Sequence, residues 1–201
     1  MIKAIICDYG SVLAQTLDPQ PRATWERKLG LAPGELTRIV HNDDTWIAAQ
    51  RGEIPVEAHW QAVGARLGLS AAELAVLRRD FYRGDVVNAL LVTHLKELRS
   101  AGYRTAILSN FSTELRALLA HQHLLPLFDL VTISAEIGVM KPEVAAYRLT
   151  LSLLGLPPEA CVFIDDQPVN VEAAIAQGLH GIVFRDNASC LPMLQHLLSS
   201  S

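Results

Sequence analysis

The sequence is poor in cysteine and in long apolar runs, and each scarcity excludes a class of protein. Its three cysteines, Cys7, Cys161 and Cys190, are odd in number and widely spaced. This pattern favours reduced thiols in a core over disulfides or a zinc site. No apolar run approaches the roughly 20 residues that cross a bilayer, so we expect no membrane partner.

Clustered positive charge is also missing. The chain has 17 basic and 21 acidic residues and a net charge of -4, without the Lys/Arg cluster that neutralises a nucleic-acid backbone. We therefore expect no nucleic-acid partner. The first residues lack the long apolar stretch and the cleavage site of a signal peptide. With the reduced cysteines, this predicts a cytoplasmic protein.

The chain does contain short apolar runs that alternate with segments whose apolar residues have helical spacing. The runs predict strands at residues 2–7, 105–108, 130–133, 161–164 and, more weakly, 181–184. Apolar residues with helical spacing predict helices at residues 87–101, 114–121, 143–154, 169–177 and 191–198. Strands that alternate with helices predict a doubly wound α/β fold, whose parallel sheet is covered on both faces.

Residues 14–85 have a different pattern. They contain all three tryptophans, Trp25, Trp46 and Trp60, and their apolar residues recur at helical intervals between glycine-containing breaks. We predict three or four helices and no strand in this segment, inserted directly after the first strand, with the tryptophans in a small core. The predicted organisation is a catalytic core at residues 1–13 and 86–201 and a helical cap at residues 14–85.

Polar residues follow the predicted strands where each one ends. They are Asp8 after the first strand, Ser109 and Asn110 at the second, Lys141 in the loop after the third, and Asp165 with Asp166 at the fourth. In open parallel sheets, ligands bind beyond the carboxyl ends of the strands. We therefore expect these side chains to converge on one edge of the sheet.

This set of side chains suits phosphoryl transfer through a covalent aspartyl phosphate. Asp8 supplies an attacking carboxylate oxygen, and Lys141 holds the charge that spreads over the phosphoryl oxygens. A carboxylate and a phosphate repel each other, so a divalent cation is needed, and magnesium prefers oxygen ligands. An Asp8 oxygen, the Gly10 carbonyl and Asp166 are the predicted ligands of Mg²⁺.

Four segments, CDYGSVL, ILSN, VMKPE and FIDD, occur in this order along the chain. They resemble the four motifs of the haloacid dehalogenase superfamily, and residues 14–85 resemble its type 1 cap. The resemblance implies a Rossmann-like core. When the cap segment QRGEI is included, the resemblance is greatest to the branch of sugar-phosphate phosphatases and epoxide-hydrolase N-terminal phosphatase domains. This branch implies a small phosphorylated metabolite as the substrate.

The resemblance also implies a role for each site residue. Asp8 would be the nucleophile and a metal ligand, and the Gly10 carbonyl and Asp166 would be the other metal ligands. Ser109, Asn110 and Lys141 would bind the phosphate, and Lys141 would also stabilise its charge. Asp165 would orient Lys141 or a metal-bound water. We thus predict a magnesium-dependent hydrolase of a sugar-phosphate-like phosphomonoester.

The chain departs from the family pattern at Gly10. Most phosphatases of the superfamily have a second aspartate at this position, which protonates the leaving alcohol and activates the hydrolytic water. General acid-base catalysis of this kind contributes roughly 100- to 10,000-fold. A phosphatase without it would favour leaving groups of low pKa, or would use a cap residue, of which His41, Asp43 and Asp44 are unranked candidates.

Two other functions stay open at this point. A 2-haloacid dehalogenase attacks carbon with its aspartate, uses no metal, and also lacks the second aspartate, although Asp165 and Asp166 would then repel each other without a cation. A fold that has lost catalysis would serve as a binding or regulatory module. The joint presence of Asp8, Ser109, Lys141 and Asp166 favours the phosphatase over both.

Overall fold

A five-stranded parallel sheet lies at the centre of the computed structural model, which describes residues 1–41 and 43–199. From one edge of the sheet to the other, the strands are β5 (Leu130–Ile133), β4 (Arg104–Ser109), β1 (Ala4–Cys7), β6 (Cys161–Asp165) and β7 (His180–Val183), numbered in chain order. Each predicted strand is found, with ends within two residues of the prediction. The predicted doubly wound α/β fold is confirmed.

Side chains of the central strands alternate between two buried clusters, one on each face of the sheet. Ile5 and Cys7 belong to one cluster, whereas Ala4 and Ile6 belong to the other. This is the period-two alternation of a strand that is buried on both sides. The core helices are α6 (Ala89–Ser100), α7 (Glu114–His121), α8 (Ser134–Ile137), α9 (Val144–Leu154), α10 (Pro168–Ala176) and α11 (Asn187–Ser199).

The short helix α8 was not predicted, and among the five helices that were, α11 differs most from its predicted bounds. It begins at Asn187 instead of residue 191, because the Asp186 carboxylate accepts a 2.8 Å hydrogen bond from the Ser189 backbone N–H in its first turn. Such a side chain satisfies a backbone donor at a helix start. The predicted core extends to residue 201, and its last two positions lie outside the described residues.

The inserted segment contains more elements than predicted. In its described part, helices α1 (Gln20–Leu29), α2 (Glu35–His41), α3 (Asp44–Gln50), α4 (Val56–Leu67) and α5 (Ala71–Phe81) are flanked by β2 (Ala14–Thr16) and β3 (Asp85–Val87). The two strands pair antiparallel. The prediction of no strand was therefore wrong, because three-residue strands carry too little alternation to be recognised and are fixed by their pairing.

The tryptophans and cysteines lie where the sequence predicts. Trp25, Trp46 and Trp60 are all buried in the cap, with Trp60 only 1% exposed. The three cysteines are buried free thiols. No helix within the described ranges has both the length and the apolar composition needed to cross a membrane.

Candidate active site

Asp8 lies just beyond the end of β1, at the edge of the sheet where the parallel strands end. Its backbone N–H donates to the Ile164 carbonyl at 2.8 Å, which extends the pairing of β1 with β6 by one residue. The Tyr9 backbone N–H donates to Asp8 Oδ1 at 2.7 Å. The chain then turns, with the backbone N–H groups of Leu13 and Ala14 both donating to the Tyr9 carbonyl. This turn places Gly10 beside Asp8.

Lys141 connects two carboxylates at this edge. Its Nζ lies 3.0 Å from Asp8 Oδ1 and 2.6 Å from Asp165 Oδ2, and its side chain is 1% exposed. A buried ammonium group is stable only with such anionic partners. The structure therefore brings Asp8, Lys141 and Asp165 together as the sequence predicts.

Asp165 is held from several sides. Its Oδ1 accepts a hydrogen bond from the Gln167 backbone N–H at 2.8 Å, and Asn170 Nδ2 lies 3.1 Å from both carboxylate oxygens. These donors fix the carboxylate that contacts Lys141. Sequence reasoning missed Asn170, and its only signal was a position in the first turn of the helix that follows Asp165.

Asp166 completes a group of three carboxylates. Oxygen atoms of Asp8, Asp165 and Asp166 all lie within 4.8 Å of one another, and Asp166 Oδ2 accepts a hydrogen bond from Gln167 Nε2 at 2.7 Å. Three like charges this close repel unless a cation lies between them. Because hard cations prefer carboxylate oxygens, this donor set fits Mg²⁺. Asp8 and Asp166 are the freer ligands, because both oxygens of Asp165 already accept hydrogen bonds from Gln167, Asn170 and Lys141.

Ser109 and Asn110 reach the site in different ways. Ser109, the last residue of β4, is 1% exposed, and hydrogen bonding from its side chain is one of the effects that lower the pKa of Asp8. The Asn110 side chain instead binds the backbone of Lys141, with Nδ2 donating to the carbonyl at 2.8 Å and Oδ1 accepting from the N–H at 2.8 Å. Asn110 thus positions the lysine loop, a contact that no motif in the sequence indicates.

Burial raises the pKa of the carboxyl groups that are the proposed ligands. For Asp8, burial raises the pKa, the Lys141 charge lowers it, and the Asp165 charge raises it again. Burial also raises the pKa of Asp166, and hydrogen bonding from Gln167 opposes this effect. The protein fold alone therefore disfavours the full negative charge of this cluster, and a bound cation would favour it.

Gly10 has space where most members of the superfamily have an aspartate. A Cβ atom added to Gly10 meets no heavy atom within 4 Å. Two of the three cap residues considered as substitutes have other contacts: His41 stacks on Trp46 with ring centroids 5.1 Å apart, and the Asp43 carboxylate caps α3 by accepting from the Thr45 backbone N–H at 2.9 Å. Neither contact points to acid-base work at Asp8.

The cap contacts the loops of the site through the last residue of α3 and the residues that follow it. Gln50 Nε2 donates to the Asn110 carbonyl at 2.8 Å, and Arg51 Nη2 lies 2.7 Å from Glu143 Oε1. Gly52 follows with φ of 71°. The cap therefore contacts the loop after β4 and the start of α9, on either side of Lys141 in the sequence.

Comparison with known proteins gives relatives along the whole chain. Residues 2–178 match the model of the haloacid dehalogenase-like hydrolases. Drimenol cyclase drtB of Aspergillus calidoustus is 26% identical over 100% of this chain, which spans 37% of the cyclase's length. Sesquiterpene phosphatase astK of Aspergillus oryzae is 28% identical over 96% of this chain and 95% of its own.

Hexitol phosphatase A of Escherichia coli is 27% identical over 90% of this chain and 82% of its own. Among solved structures, a HAD family enzyme of Bacteroides thetaiotaomicron in complex with magnesium and inorganic phosphate has a TM-score of 0.78 and 19% identity, over 95% of this chain and 99% of its own. At this identity the structural likeness shows the fold alone. The match to the family model over residues 2–178 shows that the chain belongs to the haloacid dehalogenase-like hydrolases.

Proposed function

We propose that this hydrolase cleaves a small phosphomonoester, with magnesium, through a phosphorylated Asp8. The observation that carries the proposal is the ammonium of Lys141 between Asp8 and Asp165, beside a cluster of three carboxylates. An aspartate that lay at the end of a strand without such a role would not need a buried lysine and two further carboxylates beside it. Relatives named as phosphatases, which match most of the chain, support the same reaction.

In the proposed reaction, an Asp8 carboxylate oxygen attacks phosphorus and the alcohol leaves on the opposite side. The Ser109 hydroxyl and the Lys141 ammonium donate hydrogen bonds to the phosphoryl oxygens, where negative charge is spread in the transition state. Water then attacks the phosphoaspartate and releases phosphate and free Asp8. When bound, magnesium supplies charge neutralisation between the carboxylates and the phosphate.

Asp165 holds the Lys141 ammonium in position beside Asp8. Gln167 and Asn170 fix its carboxylate, and the carboxylate in turn fixes Lys141 Nζ. Holding reacting groups in one geometry lowers the barrier of a transfer step. We assign Asp165 this orienting role and propose Asp8, the Gly10 carbonyl and Asp166 as the metal ligands.

The substrate is a small phosphorylated metabolite, and the family resemblance implies one like a sugar phosphate. The named relatives include a hexitol phosphatase and a sesquiterpene phosphatase, so their names support a phosphomonoester without choosing its alcohol. Without an acid side chain at Gly10, the leaving alcohol receives less help in protonation. We expect turnover to favour phosphates whose leaving groups have a low pKa.

The replacement Asp8→Asn tests the mechanism directly. Removing the nucleophilic oxygen should reduce the turnover of p-nitrophenyl phosphate by at least about 1,000-fold, since covalent catalysis at this atom is lost. EDTA should have a comparable effect that added Mg²⁺ reverses. Phosphate release by the variant at the wild-type rate, or undiminished in EDTA, would contradict the proposal.

Gly10 favours a second candidate, the 2-haloacid dehalogenase, because that class also has no aspartate at this position. Its reaction needs a carboxylate and a lysine but no metal. The carboxylate cluster gives the phosphatase the stronger case. Release of chloride from 2-chloropropionate in EDTA, with no release of phosphate from phosphomonoesters in Mg²⁺, would decide for the dehalogenase.

A further inference from the structure

An open groove runs along the surface where the cap meets the core. It lies between α5 of the cap and α7 of the core and encloses about 480 Å³. Cavities of roughly 300–1,000 Å³ hold small organic ligands. We infer that this α5–α7 groove binds the apolar part of the substrate alcohol, an inference that rests on the proposed phosphatase function and names its substrate class.

The two helices present matching faces to the groove. On α7 the lining residues Glu114, Ala117, Leu118 and His121 have the spacing i, i+3, i+4, i+7 of one helical face. The face of α5 has the same spacing, from Ala75 to Tyr82. Ala117 and Leu118 lie in the middle of the α7 face, whereas Arg78 and Arg79 lie in the middle of the α5 face. The apolar surface of the groove therefore comes mainly from α7 and the aromatic residues beside it.

The floor of the groove is aromatic. Tyr82 and Phe111 line it, and Phe111 is fixed by edge-to-face contacts with Tyr9 and Trp46 at centroid distances of 6.0 and 5.5 Å. The Tyr82 hydroxyl is hydrogen-bonded to His41 Nε2 at 3.2 Å. This floor therefore offers aromatic surface, whereas a sugar needs donors and acceptors for each hydroxyl group.

The groove shares lining residues with a second cavity that lies nearer the catalytic end of the molecule. A second cavity of about 100 Å³ shares Tyr82, Phe111 and Leu118 with it and is lined further along by Tyr9 and Gly10. These two residues directly follow Asp8. We assign both cavities to one substrate, with its phosphate at Asp8 and its alkyl chain in the groove.

The charged side chains lie on the two walls. Arg78 of α5 forms an ion pair with Glu114 of α7, which connects the walls, and exposed Arg79 and His121 also border the groove. An apolar chain that covers Ala117 and Leu118 would leave these groups in water. The substrate class that fits is the phosphomonoester of a hydrophobic alcohol, in place of the sugar phosphate that the sequence predicts.

A series of n-alkyl phosphates, from ethyl to dodecyl phosphate, tests the inference. All of them release alcohols of nearly equal pKa, so protonation of the leaving group stays constant. We expect kcat/KM in Mg²⁺ to rise by up to about fourfold for each added methylene group, until the chain exceeds the groove. A flat or falling series, with turnover that still depends on Asp8, would overturn the inference and leave the proposed function intact.

Binding measurements decide the case in which no alkyl phosphate is turned over. Calorimetry with ethylphosphonate and decylphosphonate, in the presence of Mg²⁺, reports the groove independently of chemistry. We expect decylphosphonate to bind at least about 100-fold more tightly. Equal affinities would overturn the inference, whereas tight decylphosphonate binding without turnover would support it and count against the phosphatase.

A pair of variants on α7 locates the effect. Ala117→Glu places a carboxylate in the groove, where an apolar chain would have to desolvate it, and should lower the ratio of decyl to ethyl phosphate efficiency by at least about tenfold. The control is Ala120→Glu, an exposed position of the same helix that does not line the groove, and it should keep the wild-type ratio. An unchanged ratio in Ala117→Glu would contradict the assignment.

Discussion

At the scale of single residues, Gly10 is where one side chain would change the chemistry most. Its backbone has no positive φ, and the space around its Cβ position is open. An aspartate there would meet neither strain nor a clash. Its carboxyl group would extend from the residue whose carbonyl is the proposed metal ligand, next to Asp8.

We predict that Gly10→Asp increases turnover. A general acid at this position should accelerate hydrolysis of alkyl phosphates by about tenfold or more, since the full effect of such a group is roughly 100- to 10,000-fold. Aryl phosphates, which need little protonation, should gain much less. Steady-state kinetics on one alkyl and one aryl phosphate measure both effects.

The matched control is Gly10→Asn, which has nearly the same size but no proton to donate at neutral pH. It should show no acceleration on either substrate. If Asp and Asn variants behave alike, the wild-type enzyme already obtains its acid from another group, and the role assigned to the vacant position would be wrong.

The convergence of Asp8, Lys141 and Asp165 could be predicted because each lies at the end of a strand of one parallel sheet or in the loop region beyond it. An apolar run shows where a strand ends, and in an open parallel sheet the carboxyl ends of the strands lie at one edge, where ligands bind. The contacts of Asn110 and Asn170 could not, because they depend on which way a short amide side chain turns. Those directions are set by tertiary packing and leave no pattern in the sequence.

At the scale of elements, the segment between α3 and α4 determines how closely the cap approaches the core. Gly52 has a positive φ, and a Cβ atom there would lie 2.3 Å from the Ala135 carbonyl oxygen in α8. No side chain fits such a distance to backbone. Gly68, at the end of α4, has φ of 66° and open space around it.

We predict that Gly52→Ala separates the cap from the core and that Gly68→Ala does not. Both replacements place alanine in a left-handed conformation, which costs about 1–2 kcal/mol, so both should lower the Tm by a few degrees. Only Gly52→Ala should also lower kcat/KM, by about tenfold or more, because cap closure excludes water from the reaction. Equal kinetics in the two variants would show that this contact has no part in closure.

Element bounds were predictable to different degrees. Apolar periodicity indicated the core helices and strands, since each one buries one or both faces. The short strands β2 and β3 were missed because their stability comes from their mutual pairing, with Thr16 opposite Asp85, and from side-chain bonds such as Thr16 Oγ1 to Asp85 Oδ1 at 2.6 Å. Pairing between residues about 70 positions apart is not visible in a local window.

At the scale of the whole molecule, the carboxylate cluster links metal binding to stability. Its members repel one another, so the folded state without a cation carries an electrostatic cost that the unfolded chain does not. A ligand that binds only the folded state stabilises it by mass action. The cation should therefore stabilise the entire fold.

We predict that Mg²⁺ at about 100 times its Kd raises the Tm by about 5–10 °C. Asp166→Asn should lose most of this shift, and without metal its Tm should equal or exceed that of the wild type, because one partly buried repulsive charge is gone. Glu172→Gln removes an exposed charge on α10 and should keep the full shift. Thermal scans with and without Mg²⁺ measure these values, and a full shift in Asp166→Asn would contradict the proposed ligand set.

The antiparallel pair of β2 and β3 has a consequence for the modularity of the enzyme. The chain leaves the core and returns to it at adjacent points, and Asn88 Nδ2 fastens the return by donating to the Val12 carbonyl at 3.0 Å. The two strands thus form one junction, at Thr16 and Asp85, through which the inserted segment is joined to the core. Exchanging residues 17–84 between relatives at this junction should transfer substrate preference while the machinery of phosphoryl transfer is inherited unchanged.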